Sequence, residues 1–158
     1  MKESEIIQGV LDLLATPEAW IKNIRGMSAH GEPLEVPSER AVSWCLGGAV
    51  MQVTQRAGWC GWFVYGDDPV GRRFSRLARA RGYDDIHSPF VEFNDAVETT
   101  HEDIHSPFVE FNDAAETTHE DILLFLKEAL YEAQAEEAAA AIEENLAAWA
   151  ALAEEAGV

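Results

Sequence analysis

Two neighbouring segments of this chain carry almost the same text. Residues 85–102 read DIHSPFVEFNDAVETTHE and residues 103–120 read DIHSPFVEFNDAAETTHE, differing only at Val97 and Ala115. A stacking repeat needs three or more units, and its copies diverge outside the positions that pack. Here even loop-type residues are identical, so the pair reads as a tandem duplication inside one domain. The constraint this sets is topological. A single unit would both follow Tyr83-Asp84 and lead into the helix after residue 120, and two copies cannot both do both. We expect copy two, continuous with the C-terminal helix, to hold the native place. Copy one is then extruded as an excursion or adds a short helix at 99–105.

The duplication also manufactures a motif. His101-Glu102-Asp103-Ile104-His105 spells HExxH, in which two histidines one helical turn apart bind zinc and the glutamate activates water. Here it straddles the junction, and the second copy ends His119-Glu120-Asp121-Ile122-Leu123, without the second histidine. Pro107 follows two residues later, and its ring opposes the carbonyl of Asp103 in a continuing helix. The motif is read as a by-product of the junction. No catalytic, cofactor-binding or metal-ligating residue is assigned, no cofactor is implied, and the balance leans away from an enzyme.

With 158 residues, 47% of them hydrophobic, the chain can bury one sizeable core. The formal charge of −18 is unevenly placed: residues 1–83 hold ten basic and nine acidic residues, whereas residues 84–158 hold Lys127 alone against twenty acids. Such a balance opposes wrapping of nucleic acid or anionic lipid, so direct nucleic-acid binding is not expected. No run approaches the roughly 18 to 20 apolar residues of a membrane span, and MKESEIIQGVLDLL is amphipathic and acidic rather than a leader, so the protein is read as cytoplasmic with no membrane partner. Cys45 and Cys60 sit in apolar surroundings without CxxC pairing, which favours buried thiols over a 45–60 disulfide.

The pattern along the chain predicts a mainly α fold, α+β at most. Ile6, Ile7, Val10, Leu11 and Leu14 fall at helical spacing over residues 3–15. Thr16-Pro17 reads as a helix start or as the stop of the first helix. Residues 20–36 carry Gly26, Gly31 and Pro33 and suggest a small β-hairpin turning at His30 to Pro33. Ser38 reads as the cap of a largely buried helix through Ala41, Val42, Cys45, Leu46, Ala49, Val50 and Val53, in which Gly47 and Gly48 admit close approach of another backbone or a ligand. The segment VGRRFSRLARARG predicts a helix stopped by Gly82. On it Arg72, Arg76 and Arg79 form one stripe, with Arg73 and Arg81 nearby. The stripe can bind phosphate, or it can pair with the chain's own acidic half or stay solvated, and the acidic half favours the second reading.

After residue 120, Thr117 or Thr118 can cap a helix, with Thr117 and Glu120 as a capping box. Ile122, Leu126, Ala129, Leu130 and Ala133 make one apolar stripe. Almost everything beyond is a strong helix former, so a long acidic helix or helix pair of nearly forty residues is predicted. At 100° per residue the distal stripe of Ile142, Leu146, Trp149 and Ala153 faces away from the proximal one. Either the chain turns near 134–140 or the distal half packs on a protein partner or a second copy. An intramolecular turn or a homodimer is favoured over a cofactor site. The domain is accordingly set at 1–131, containing the duplication, with an Ala/Glu-rich helical extension at 132–158.

The order Trp20, Ser38-x-x-Ala41-x-x-Trp44-Cys45-Leu46-x-Gly48-Ala49, Phe111-Asn112-Asp113 and Thr118-His119-Glu120-Asp121-Ile122 resembles an uncharacterised domain-of-unknown-function family of small bacterial and phage proteins. The resemblance covers roughly residues 5–131. It implies a compact, mostly helical domain and supplies no activity, substrate or cofactor; the extra 18-residue copy and the tail after about residue 132 depart from it. Trp44, Cys45 and Gly48 are more often core than pocket, and Asn112 and Asp113 more often fix a turn than bind a ligand. A cysteine nucleophile would need a histidine base in reach, and four of the five histidines lie in the duplicated block.

Three functions from different classes follow: an interaction module, phage-borne on one reading, docking a protein through the acidic helical half; an acidic mimic of nucleic acid inhibiting a DNA-handling enzyme; and a small metal-dependent enzyme, which the junction origin of HExxH disfavours. Arg72, Arg76, Arg79, Ile142, Leu146 and Trp149 are the interaction candidates.

Overall fold

An amphipathic opening segment and a long C-terminal helix close on each other across almost the whole sequence. The computed structural model describes residues 1–55, 68–83 and 107–156, with the side chains of 107–109 and 156 left aside. Helix α1 (Glu3–Leu13) buries Ile7 and Val10, and Leu14 follows them into the core. A 3-10 turn at Pro17–Ala19 starts after Thr16, as the Thr-Pro pair predicts. Strand β1 (Gly26–Ser28) pairs antiparallel with β2 (Ala41–Trp44), and α2 (Leu46–Thr54), α3 (Pro69–Ala80), α4 (Pro107–Asp113) and α5 (His119–Ala156) follow. The protein is mainly α with one small antiparallel hairpin.

The β layer differs from the expectation in one respect. The turn lies where Gly31 and Pro33 place it: Gly31 takes φ +77° and its N–H donates to the Ser28 carbonyl, while Met27 bridges Pro33. The main partner of β1, however, is the segment 41–44, in the register Gly26 with Trp44 and Met27 with Ser43. The single helix expected from Ser38 is therefore a strand followed by a shorter helix. Over four residues an apolar run fits either period, and pairing decides. Val42 points out at 51% exposure between buried Ala41 and Trp44. Ser38 fixes the preceding turn, its N–H donating to Gln52 Oε1 and its Oγ accepting from the Arg40 N–H. Cys45, not Ser38, is the cap of α2, its Sγ accepting from the Gly48 N–H at 3.3 Å.

Gly48 carries the close approach expected of the glycine pair. A Cβ there would lie 1.7 Å from the carbonyl oxygen of Arg25, so the β1 entry and α2 touch backbone to backbone. Asp68 caps α3 with Pro69 at its first position, and Gly82 ends that turn region at φ +89°.

The core is built of α1, α2, α3 and the first half of α5. Phe74 of α3 and Phe125 of α5 meet edge to face with centroids 5.2 Å apart, and Phe111 lies 4.8 Å from Phe125. Such pairs add about 0.5–1.5 kcal/mol each beyond their burial. Phe111, Asn112 and Thr117 are buried, so copy two of the duplication stands in the core. Copy one lies outside the described residues.

Helix α5 runs without a break from His119 to Ala156. The turn favoured near 134–140 does not occur, because this stretch is Ala, Glu and Gln with no Pro or Gly to stop it. Thr118, rather than Thr117 with Glu120, makes the capping box: its N–H donates to Asp121 Oδ2 at 2.9 Å and its Oγ1 accepts from the Asp121 N–H at 3.2 Å. The last buried side chain is Ala133, and from residue 138 to 155 every side chain is exposed. At 1.5 Å per residue that projection is about 27 Å long. No helix among the described residues is long and apolar enough to cross a membrane.

Candidate functional site

Three groups of residues hold the sequence candidates. The first is a buried polar junction. Asn112 at the end of α4 is 2% exposed, and its Oδ1 accepts from Trp20 Nε1 at 2.9 Å and from the Leu46 N–H at 3.0 Å. Its Nδ2 donates to Asp113 Oδ1 at 2.6 Å, and that oxygen also accepts from the Asn23 N–H. Leu46 opens α2, so its N–H is one that no intrahelical carbonyl can reach. Asn112 and Cys45 thus cap one helix from opposite ends of the sequence. Lys22 adds a hydrogen bond to the Ala114 carbonyl and lies 5.2 Å over the Trp20 ring, and His119 Nε2 meets the Leu14 carbonyl at 2.7 Å. Trp44, Cys45, Gly48, Asn112 and Asp113 meet here; the polar side-chain atoms of Cys45, Asn112 and Asp113 are spent on the fold, whereas the buried Trp44 Nε1 has no hydrogen-bond partner among the described residues. Asn112 does more than fix a turn, since its partners lie 66 and 92 residues away.

The second group is the arginine face of α3. Arg72, Arg76 and Arg79 are exposed along it. Arg76 pairs with Glu132 of α5, and Arg81 pairs with Glu128 while lying 5.1 Å over Phe125. Arg73, which sequence spacing leaves beside the stripe, is buried and makes three ion pairs. It is 6% exposed and pairs with Glu3 at 2.7 Å, Glu132 at 3.2 Å and Glu136 at 2.6 Å, joining α1, α3 and α5. The hydrogen bond from Arg76 holds the Glu132 carboxyl below the usual range, and the bond from Arg73 does the same to Glu136. Hydrogen bonding to Glu3 holds the Arg73 guanidinium charged above its ordinary value. No spacing rule could have singled Arg73 out; the signal was only that three acidic positions, 3, 132 and 136, lie on helices that converge.

The third group is the projecting part of α5. Ile142, Leu146, Trp149 and Leu152 are 60–72% exposed. Glu143, Glu144, Glu154 and Glu155 surround them with no ion pair among the described residues. The sequence candidates Ile142, Leu146 and Trp149 are brought together as one surface, separate from the arginine face and from the buried junction.

A hollow of about 390 Å³ lies between Arg81, Tyr83, Phe111, Thr117 and Asp121. Of its charged lining groups, Arg81 is committed to Glu128 and Asp121 to the α5 cap, while Glu116 is exposed at its edge. Among the described residues no three His, Cys, Asp or Glu side chains are arranged to hold a metal ion. The HExxH at 101–105 and Cys60, and with it the 45–60 pairing, lie outside the described residues.

The fold and these surfaces define a small helical domain with a projecting helix. The chain belongs to a family of unknown function, DUF6197, whose model matches residues 1–132. That match ends within α5, shortly before the exposed projection that begins at residue 138. No curated protein and no solved structure matches the chain.

Proposed function

We propose that this protein is an interaction module: the family domain is a rigid base, and the distal part of α5 is the surface through which it docks a protein. The observation that carries this reading is the 18-residue projection of α5, residues 138–155, in which every side chain is exposed and Ile142, Leu146, Trp149 and Leu152 stand 60–72% open. Contiguous exposed apolar groups mark surfaces that are covered in use. The acidic-mimic reading is weaker because Glu128, Glu132 and Glu136 are already neutralised by the chain's own arginines.

Affinity capture from the source cell with the full chain and with Trp149→Ala, read by mass spectrometry, tests it. A protein retained by the wild type and depleted about tenfold by Trp149→Ala is expected. Identical capture by both chains overturns the reading, and capture of basic DNA-handling enzymes that ignores Trp149→Ala but vanishes with salt replaces it with mimicry.

A further inference from the structure

The exposed apolar residues of α5 are not confined to its projection. Leu124 is 55% exposed and Tyr131 74%, on the side of the helix opposite the buried Ile122, Leu126, Ala129 and Ala133. At 100° per residue Leu124 and Ile142 share one direction, and Tyr131 and Trp149 share another 20° from it. Leu146 lies within 60° of all four. One apolar line thus runs outside the helix from Leu124 to Trp149, about 38 Å at 1.5 Å per residue. Leu124, Ala135 and Leu146 stand eleven residues apart, and so do Tyr131, Ile142 and Ala153. An eleven-residue period matches a straight or slightly right-handed pairing of helices, whereas the seven-residue period through Leu124, Tyr131 and Ala138 reaches Asn145.

The net charge of the projecting helix chooses its occupant. From Glu137 to Ala156 there are five acids and no base, and the last turn of α5 holds Glu154 and Glu155 at the negative end of the helix dipole. A second copy laid parallel along the line would set five further acids against these. Resting on the docking reading above, we infer that the line binds a cationic amphipathic helix of another protein, its apolar face on Leu124 to Trp149 and its Lys or Arg residues against Glu143 and Glu154, which lie about 100° and 120° round the helix from Leu124 on one flank of the line. A basic partner removes the repulsion within α5 and complements its dipole, while the apolar line sets the register.

The test uses the full chain and three synthetic helical peptides: apolar residues at eleven-residue spacing flanked by Lys, the same spacing flanked by Glu, and Lys flanks with heptad spacing. Titration calorimetry should show the first binding at least tenfold tighter than the second and several-fold tighter than the third. The variant Ile142→Gln/Leu146→Gln/Trp149→Gln keeps every acid and good helix formers, and should bind the first peptide at least tenfold more weakly. Equal binding of the Lys- and Glu-flanked peptides overturns the charge assignment, and equal binding of the heptad peptide overturns the register. An unchanged affinity of the triple variant reduces the effect to bulk charge and overturns the proposal. So does a wild-type dimer in sedimentation that the triple variant abolishes. A natural partner captured in a Trp149-dependent way but lacking a basic helix would sink this inference alone and leave the docking reading standing.

Discussion

Asn112 shows how much one short side chain can hold. Replacing it by Ala leaves the Trp20 indole N–H and the Leu46 N–H without acceptors in a buried place, each costing about 1–3 kcal/mol. Asn112→Ala should therefore lower stability by about 2–4 kcal/mol in urea titration. Trp20→Phe should cost less, and the double variant should cost less than the sum, because the two share one bond. The sequence makes Asn112 and Asp113 conspicuous as turn formers, and Gly48 as a point of close approach. It does not reveal that Asn112 reaches Trp20 and α2, since a hydrogen bond across 92 residues leaves no local trace.

The ion cluster on Arg73 belongs to the scale of elements, because it joins three helices. Arg73→Met would leave Glu3, Glu132 and Glu136 facing one another. The loss expected is about 3 kcal/mol, set at the low end for a buried pair because Glu136 is exposed. Glu132 and Glu136 have folded pKa values held below those of the unfolded chain, so their contribution is complete above roughly pH 4.3 and is lost as pH falls through the lowered values. The stability gap between wild type and Arg73→Met, measured by urea melts, should narrow from pH 7 to pH 3. A gap independent of pH would assign Arg73 to packing alone. The projection of α5 makes a contrasting case. Ala147→Pro removes a helical hydrogen bond and strikes the carbonyl of Glu143. It should reduce the helical signal at 222 nm while leaving the melting temperature of the domain unchanged, since no residue past 137 is buried. Long, strongly periodic elements such as α1, α3 and α5 are legible in the sequence. The strand at Ala41–Trp44 is not, because four residues carry too little periodicity and its partner β1 lies 13 residues upstream of its start.

For the whole molecule, the duplication is the odd feature, and the structure gives its second copy a place. Phe111 and Asn112 fill the core from copy two, and a chain lacking 85–102 would read the same from Tyr83 into Pro107 as copy one does now. Deleting 85–102 should keep thermal stability or raise it, and should move the formal charge from −18 to −13 by removing five acids. A large fall in melting temperature would show that copy one is part of the native core. The closure of α1 on α5 has a further consequence, during biosynthesis. Ser4 bonds Glu137 across 133 residues, and Ile7, Val10 and Leu14 await Ile122, Leu126 and Ala133. At about 5–20 residues per second, roughly 7 to 27 s separate the making of the two halves of that contact. For that interval α1 has only α2 and α3 to cover it as they emerge, and the core is sealed once the first half of α5 has left the ribosome.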